Sequence, residues 1–247
     1  MKNILIYSRV TMLKARYTED ELIEAGVDEV GRGCLWGPLV TAAVVWLPEE
    51  HWTPEIRAVA EQVKDSKKLT EKRRDILAAQ IRDCALAVGI GRVEAAEIDQ
   101  LGMTRSNQLA FSRAITDLAV EPERLLIDGI VALPHDLWSS HQGEQHCIVE
   151  GDAKYIPIAA ASIVAKVYRD TWVKQWCIAH PEIGARYGLE GSKGYGTATH
   201  RGALAAHGPH ILHRRLFLRK ILGDQIYTAP VREVNTQCQI QDDPDME

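Results

Sequence analysis

The sequence contains few cysteines, no long apolar run and no internal repeat. The five cysteines are scattered and never form a C-x-x-C pair, so the sequence predicts neither a disulfide framework nor a zinc knuckle. No stretch reaches the roughly 18 consecutive apolar residues that a membrane-spanning helix needs. The N-terminal residues also lack the apolar segment and cleavage site of a secretory leader. We therefore expect a soluble, cytoplasmic protein that does not act at a membrane.

The composition that is present is that of a globular protein. The 247 residues are 46% hydrophobic and 26% charged, which is enough to bury a core. The net charge is -5, but it is distributed unevenly: between residues 154 and 220, eleven Lys or Arg residues accompany three acids, a net of +8. Such a segment either binds phosphates or forms a solvated helical face, and the charge alone does not decide between the two.

Short apolar runs rich in valine predict five strands, and segments with helical spacing separate most of them. The predicted strands are 25–30, 39–47, 86–93, 125–127 and 147–149, and the predicted helices are 71–83, 105–120, 158–179 and 212–222. The first two strands should pair antiparallel, because the turn between them is too short for a crossover helix. Helices between the later strands favour parallel pairing. The predicted fold class is α/β, a mixed five-stranded sheet flanked by helices, with a helical C-terminal extension.

We expect a single domain over residues 21–222, because no low-complexity linker divides the sequence. Residues 1–20 show no clear pattern, and residues 227–247 end in the acidic sequence QDDPDME. Both termini are therefore predicted to be flexible tails. Whether the acidic tail binds a partner is left open.

The most informative stretch is AGVDEVGRG, residues 25–33, in which two acids end an apolar strand. A regular strand would point Asp28 and Glu29 to opposite faces, so both can serve one site only if the chain bends just after them. Gly31 and Gly33 permit that bend and let backbone N–H groups approach a ligand closely. Taken alone, an Asp-Glu pair is more often a polar strand end before a turn.

Two further acids follow at the end of one strand and before one helix. Asp128 ends the apolar run LLID, at the strand end where α/β sheets place their sites. Asp152 lies in EGDAK, just before a long helix. Each is weak on its own, because Asp-Gly is a common turn and a carboxylate at a helix start complements the helix dipole.

Six sequence blocks together resemble the ordered motifs of the ribonuclease HII family. They are DEVGRG (28–33), DSKKLT (65–70), LIDG (126–129), GDAKYIPIAAASIVAKVYRD (151–170), YGLEGSKGYGTATH (187–200) and HRRLF (213–217). The blocks extend over about 190 of the 247 residues, and SKGYGTATH is similar to the bacterial branch. This order is far more specific than any single motif.

The resemblance implies a ribonuclease H-like fold and a metal-dependent endonuclease. Its substrates would be RNA–DNA hybrids and DNA duplexes that contain single ribonucleotides, cut on the 5′ side to leave 3′-hydroxyl and 5′-phosphate ends, as in ribonucleotide excision repair. The implied catalytic and metal-binding residues are four carboxylates: Asp28, Glu29, Asp128 and Asp152. Their hard oxygen ligands suit Mg²⁺ or Mn²⁺, and phosphodiester hydrolysis can use one ion on the attacking oxygen and another on the leaving oxygen.

Substrate recognition depends on the 2′-hydroxyl, the only group that marks a ribonucleotide within DNA. The resemblance assigns ribose contacts to the backbone of Gly31, Arg32 and Gly33 and to the ring of Tyr195. Phosphate contacts are expected from Lys193 and from two lysines before the helix that Thr70 caps, Lys67 and Lys68.

Lys166 has two interpretations. It shares one helix face with Ser162 and Arg169 and either meets DNA or pairs with an acid inside the protein, and the internal pair is slightly favoured. The histidines at 207, 210 and 213 repeat at a spacing of three, but Gly-Pro interrupts the helix, so we predict a surface turn rather than a metal site.

The chain departs from the family pattern at three places. Cys34 and Trp36 follow the first glycine turn, where the family has proline and small residues, and Ser192 stands where histidine is common. These changes remove no metal ligand but could alter the fit of the duplex. The spacing from Asp128 to Asp152 is also long, which predicts an insertion at 134–143 that loops out.

Three alternative functions are less favoured. The sister ribonuclease HIII carries an N-terminal substrate-binding domain, whereas only 27 residues precede Asp28. A nucleic-acid-binding module without activity would not need all four acids. A phosphotransferase acting on small nucleotides would need a P-loop, which the sequence lacks. We expect a monomer; the preferred metal and the preference for single ribonucleotides over hybrids are left open.

Overall fold

A five-stranded mixed sheet forms the centre of the computed structural model, which describes residues 13–63, 69–138 and 143–223. The strands are β1 (Glu24–Val30), β2 (Leu39–Val45), β3 (Ala87–Val93), β4 (Arg124–Asp128) and β5 (Glu144–Ile148). Their order across the sheet is β3-β2-β1-β4-β5. β1 and β3 both pair antiparallel with β2, while β4 pairs parallel with β1 and β5 pairs parallel with β4. The predicted α/β mixed sheet is confirmed.

The predicted strand directions are correct for β1, β2, β4 and β5 but wrong for β3. Val45, the last residue of β2, pairs with Ala87, the first residue of β3. The chain therefore leaves the sheet at the C-terminal end of β2 and re-enters it at the same end, and two helices, not one, lie between these strands. A single crossover helix would have carried the chain to the opposite end of the strands and made β3 parallel to β2.

Eight helices surround this sheet in the described residues. They are α1 (Pro54–Ala60), α2 (Glu71–Cys84), α3 (Ala95–Thr116), α4 (Ile156–Ala179), α5 (Pro181–Tyr187), α6 (Leu189–Ser192), α7 (Ala198–His207) and α8 (Arg215–Leu222). α4 packs its small residues against one face of β1 and β2, and α3 packs against the other face. Helices α5 to α8 form the helical C-terminal part, with a smaller core of their own around Trp176 and Leu204.

α3 begins ten residues before the predicted helix. Glu94 and Glu97 form a capping box, in which the Glu94 backbone N–H donates to Glu97 Oε2 at 2.9 Å. Gly102, with φ of 73°, then interrupts the helix. The sequence prediction started only after this glycine, because the helical spacing is broken there.

Residues 14–20, part of the predicted N-terminal tail, make long-range hydrogen bonds. The backbone N–H of Lys14 donates to the carbonyl of Lys154 at 2.9 Å, and Ile156 donates back to Lys14 at 2.8 Å. Asp20 accepts a hydrogen bond of 2.7 Å from the buried Arg124. These long-range bonds hold residues 14–20 against the sheet. Residues 1–12 and 224–247 lie outside the described residues.

The predicted insertion at 134–143 does not simply loop out. Leu137 and Trp138 pack against the core on the α3 face, and Ser112 of α3 donates a 2.8 Å hydrogen bond to the carbonyl of Leu137. Residues 139–142 lie outside the described residues. The described half of the insertion is therefore part of the α3 layer, fixed by contacts far away in the sequence.

The close approach of α4 to β1 makes a stability prediction. A Cβ on Gly26 would lie 2.2 Å from the backbone carbon of Pro157, so Gly26→Ala must push the helix away from the strand. We expect this change to lower the free energy of unfolding by about 1–3 kcal/mol. Gly202 is the matched control, because it lies in the middle of α7 with open space around it. Gly202→Ala should stabilise the protein by up to about 1 kcal/mol.

Urea denaturation of the two glycine variants tests this packing. Equal stability of Gly26→Ala and wild type would show that α4 does not rest on β1 as closely as described.

Candidate active site

Two of the predicted acids lie side by side at the carboxyl edge of the sheet. β1 and β4 run parallel with Val27 opposite Ile127, so Asp28 and Asp128 are the next residues of the two strands. Asp28 is buried and accepts a hydrogen bond from Ser162 on α4. Burial, followed by nearby carboxylate charge, raises the pKa of Asp28 well above its usual range. This edge therefore favours a positive charge beside an ionised Asp28.

Glu29 leaves the strand on the opposite face. It accepts a hydrogen bond from Asn107 on α3, and its Oε1 lies 3.6 Å from Arg32 Nη1. Burial raises the pKa of Glu29, and the charge of Arg32 opposes this shift. Asp28 contacts α4 instead, as the alternation of a regular strand requires. The predicted bend comes after both acids, at Gly31, where φ is 85°.

Asp152 lies in a 3-10 turn, Gly151–Ala153, immediately before α4. The backbone N–H of Gly151 donates a 2.8 Å hydrogen bond to Asp128 Oδ1, which brings this turn against the end of β4. Asp152 itself is buried, with 7% of its surface exposed. The turn therefore adds a buried acid close to the edge that carries Asp28 and Asp128.

The oxygen ligands that the four predicted acids offer are of the kind that hard divalent cations prefer. All four predicted ligands are carboxylates, and the raised pKa values of Asp28 and Glu29 reflect burial together with mutual repulsion that a cation would relieve. Within residues 13–63, 69–138 and 143–223, no group of three or more His, Cys, Asp or Glu side chains is already arranged to hold a metal ion.

The Gly31–Gly33 turn exposes its backbone at this acidic edge. Cys34 N–H donates to the Gly31 carbonyl at 3.1 Å and closes the turn. A Cβ on Gly31 would lie 2.3 Å from Arg169 Nε, so only glycine fits there. At Gly33 the space is open, and both Arg32 and Gly33 are exposed. The turn can therefore present N–H groups to a bound sugar.

Tyr195 lies next to this turn, although 164 positions separate it from Gly31 in the sequence. An isolated antiparallel bridge joins it to Cys34. Its ring is 39% exposed and lies 5.7 Å from Lys166 Nζ and 5.9 Å from Arg169 Cζ, measured to the ring centroid. Burial, chiefly, raises the pKa of Tyr195 to about 12, so the hydroxyl is neutral. The two predicted ribose elements are thus brought together.

The predicted phosphate-binding lysines have different surroundings. Lys166 Nζ lies 3.0 Å from Asp170 Oδ1, so the internal acid pair is present. Lys193 is half-buried and donates to the carbonyl of Glu190 at 2.8 Å. The two lysines before α2, Lys67 and Lys68, lie outside the described residues.

Two fully buried arginines hold the ribose elements, and the sequence did not predict this role: Arg169 bonds to both loops, and Arg214 bonds to the loop after β1. Arg169 donates to three carbonyls at 2.8 to 3.1 Å, those of Trp36, Pro38 and Lys193. Arg214 donates to the carbonyls of Gly31 at 2.6 Å and Gly37 at 2.9 Å. Two motif blocks, KVYRD and HRRLF, supplied the only sequence signal. The guanidinium groups fix the position of the loop after β1 (residues 31–38) relative to the loop that contains Tyr195 (residues 193–197, the Tyr195 loop).

The prediction of a surface turn for the three histidines is wrong for His213. His213 is 1% exposed and lies 2.9 Å from His200, measured between the two Nε2 atoms. The packing of α7 against the residues before α8 encloses both rings, which a local spacing of three cannot indicate. His210 is half-buried and His207 is exposed.

Two of the departures from the family pattern, Cys34 and Trp36, lie in the core, and the third, Ser192, is half-buried. Cys34 and Trp36 are fully buried, and Trp36 packs at 4.7 Å against Trp176 between ring centroids. The hydroxyl of Ser192 accepts a 3.3 Å hydrogen bond from the backbone of Gly194. Cys34 and Trp36 therefore pack on the core side of the Tyr195 loop.

The sheet order, the helices on both of its faces and the acids at its carboxyl edge define the ribonuclease H-like class. The family model described as "Ribonuclease HII" matches residues 25–220. The chain is 46% identical to ribonuclease HII of Synechococcus sp. (strain CC9902) over 199 residues, which cover 81% of this chain and 94% of that protein. It is also 46% identical to ribonuclease HII of Bacillus subtilis (strain 168), over 78% of this chain and 68% of that protein.

A solved structure shares this fold. The crystal structure of the ribonuclease H2 from Pyrococcus horikoshii OT3 aligns with a TM-score of 0.64 and 27% identity, and covers 83% of this chain and 99% of that one. The chain belongs to the ribonuclease HII family. It is therefore a metal-dependent endonuclease of the type 2 ribonuclease H class. None of its described helices has the length and apolar character needed to cross a membrane.

Proposed function

We propose that this chain hydrolyses the RNA strand of RNA–DNA hybrids and cuts duplex DNA on the 5′ side of single embedded ribonucleotides. One observation carries the proposal: the Gly31–Gly33 turn, in which Arg32 and Gly33 are exposed and beside which Tyr195 lies, directly follows the strand that carries Asp28 and Glu29 near its end. A sugar held by this turn would place an adjacent phosphate at the acids. Cleavage of this kind would begin the excision of ribonucleotides from DNA.

Asp28, Glu29, Asp128 and Asp152 would hold Mg²⁺ or Mn²⁺. When bound, a pair of such ions stabilises the charge that develops on the attacking and leaving oxygens of the phosphodiester. Ser162 and Asn107 orient Asp28 and Glu29 from opposite sides of the sheet. These two hydrogen bonds limit the rotation of the carboxylates and so fix the direction from which they act.

Recognition of the ribose is the task of the Gly31–Gly33 backbone and the Tyr195 ring. Backbone N–H groups at the turn donate to the 2′-hydroxyl, and the ring packs on the neighbouring sugar. The 2′-hydroxyl then serves recognition and does not attack the phosphorus. The products are a 3′-hydroxyl on the upstream strand and a 5′-phosphate on the fragment that begins with the ribonucleotide.

Cleavage of a labelled RNA–DNA hybrid, with and without EDTA, tests the enzymatic function. We expect cutting with Mg²⁺ or Mn²⁺ and none with EDTA, while hybrid binding persists in both. A chain that binds the hybrid but never cuts it would instead be a binding module that kept the fold.

Binding to the hybrid should depend on salt, because the basic segment 154–220 meets phosphates. Two of its arginines, Arg169 and Arg214, are buried and do not contribute to the surface. Lys193 is half-buried and lies two residues before Tyr195, and Lys193→Ala should reduce the slope of log K against log salt by about 1. Arg57→Ala on α1, an exposed arginine outside this segment, is the control variant. Fluorescence anisotropy over a salt series measures these slopes, and a flat response would contradict phosphate binding.

A further inference from the structure

Two buried histidines connect the helical C-terminal part to the Tyr195 loop. His200 on α7 and His213 before α8 are 0% and 1% exposed. Their Nε2 atoms lie 2.9 Å apart. At one end of the pair, His200 Nδ1 lies 2.9 Å from the carbonyl oxygen of Tyr195. At the other end, the backbone nitrogen of His210 lies 2.8 Å from His213 Nδ1.

The backbone groups at the two ends determine where the protons are. The Tyr195 carbonyl can only accept, so His200 Nδ1 carries a proton. The His210 N–H can only donate, so His213 Nδ1 carries no proton. The His210 carbonyl also lies 3.2 Å from His213 Nδ1. That carbonyl already accepts a hydrogen bond of 2.9 Å from the His213 backbone, and a proton on Nδ1 would point at the His210 N–H.

The remaining hydrogen bond then has one direction. His213 Nε2 carries the second ring proton and donates it to the bare Nε2 of His200. Both rings are neutral in this arrangement, and burial lowers the pKa of His213 to about 3 and lowers the pKa of His200 as well. The chain of bonds therefore runs from the His210 backbone through two rings to the Tyr195 carbonyl without a buried charge.

We propose that His200, oriented by His213, is a positioning residue that fixes the Tyr195 ring for contact with the ribose. The proposal rests on the function proposed above. Tyr195 is 39% exposed, so the protein encloses only part of this residue. Its backbone is held by the bridge to Cys34, by local hydrogen bonds to Ser192 and Thr197, and by the side chain of His200. Loss of the His200 bond removes the attachment of this backbone to the buried histidine pair.

Two substitutions at His200 separate its two hydrogen bonds. In His200→Asn the amide nitrogen takes the place of Nδ1 and still donates to the Tyr195 carbonyl, but the side chain no longer reaches His213. In His200→Gln the longer side chain reaches His213 and loses the bond to Tyr195. Each variant breaks one buried bond, so both should melt at a lower temperature than wild type.

Only the glutamine variant should alter ribose recognition. On a duplex with one ribonucleotide, we expect His200→Gln to lower kcat/KM about tenfold, because small displacements of positioned groups reduce rates steeply. His200→Asn should stay within about twofold of wild type. In a protein that already carries Tyr195→Ala, His200→Gln should lower kcat/KM by less than a further factor of about two, because the ring that His200 positions is absent.

The outcomes separate this proposal from the function on which it rests. A wild-type chain that does not cut the duplex would overturn the function. Two other outcomes would overturn the positioning role alone, provided that the wild type cuts the duplex. One is an equal loss of kcat/KM in His200→Gln and His200→Asn. The other is a loss of about tenfold from His200→Gln that persists in the Tyr195→Ala protein.

A measurement without metal or substrate tests the same geometry. Nitrogen-15 NMR of the histidine rings should show a protonated Nδ1 in His200 and a protonated Nε2 in His213. The reverse tautomers, or a charged ring at pH 7, would overturn the proposal.

Discussion

Replacing Asp28 by Asn should lower the rate of hybrid cleavage by about 10³-fold or more while hybrid affinity changes by less than about twofold. Under the proposed function, divalent ions held by the acids would stabilise the transition state by several kcal/mol, and each 1.36 kcal/mol corresponds to a factor of about ten in rate. Asp28 is buried beside Asp128 at the strand end, so the loss of its charge would weaken the binding of these ions. Single-turnover cleavage and anisotropy measure the two quantities separately.

The matched control for this substitution is Glu150→Gln. Glu150 is an exposed acid close to Asp152, and we assign it no ligand role. Its activity should stay within about twofold of wild type. Loss of hybrid binding or of the folded state in Asp28→Asn, checked by thermal unfolding in EDTA, would mean that Asp28 has a structural role.

Tyr195→Ala should lower the rate on a single embedded ribonucleotide by about 5- to 150-fold, which corresponds to the roughly 1–3 kcal/mol of an aromatic stacking contact. The exposed part of the ring lies beside the Gly31–Gly33 turn, where the sugar would bind. Tyr195→Phe retains the ring and should lose little activity. Steady-state cleavage of a labelled duplex compares the three proteins.

Full activity of Tyr195→Ala would show that the ribose is recognised elsewhere. A similar loss in Tyr195→Phe would instead assign the effect to the hydroxyl group. Neither result would affect the role of the carboxylates, because Tyr195 lies on a different loop.

The sheet and the position of the acids could be predicted because they depend on local patterns. Apolar runs indicated the strands, and Asp28 and Asp128 each end such a run, so parallel pairing brings them together. Regular side-chain alternation places Asp28 and Glu29 on opposite faces, whereas a bend at the glycines was expected to bring them to one site. The assignment of the four acids to one metal site came from the family resemblance and stays a prediction.

The buried residues that hold the site in place could not be predicted, because their roles depend on contacts between distant parts of the chain. Arg169 bonds to carbonyls that lie more than 130 positions earlier, and no spacing rule indicates such a pair. His213 was predicted to be on the surface because its burial depends on the docking of α7. The order in residues 14–20 likewise depends on bonds to the start of α4.

The central claim is that the carboxylate edge and the ribose turn act on the same nucleotide, and the cut position tests it most directly. A duplex with one ribonucleotide and a labelled strand should be cut only on the 5′ side of that ribonucleotide. The upstream product should end in a 3′-hydroxyl, and the other product should begin with a 5′-phosphate. A cut on the 3′ side would mean that the turn and the acids do not act on the same nucleotide in the proposed way, and a 2′,3′-cyclic phosphate would mean that the ribose oxygen attacked the phosphorus; either result would contradict this account.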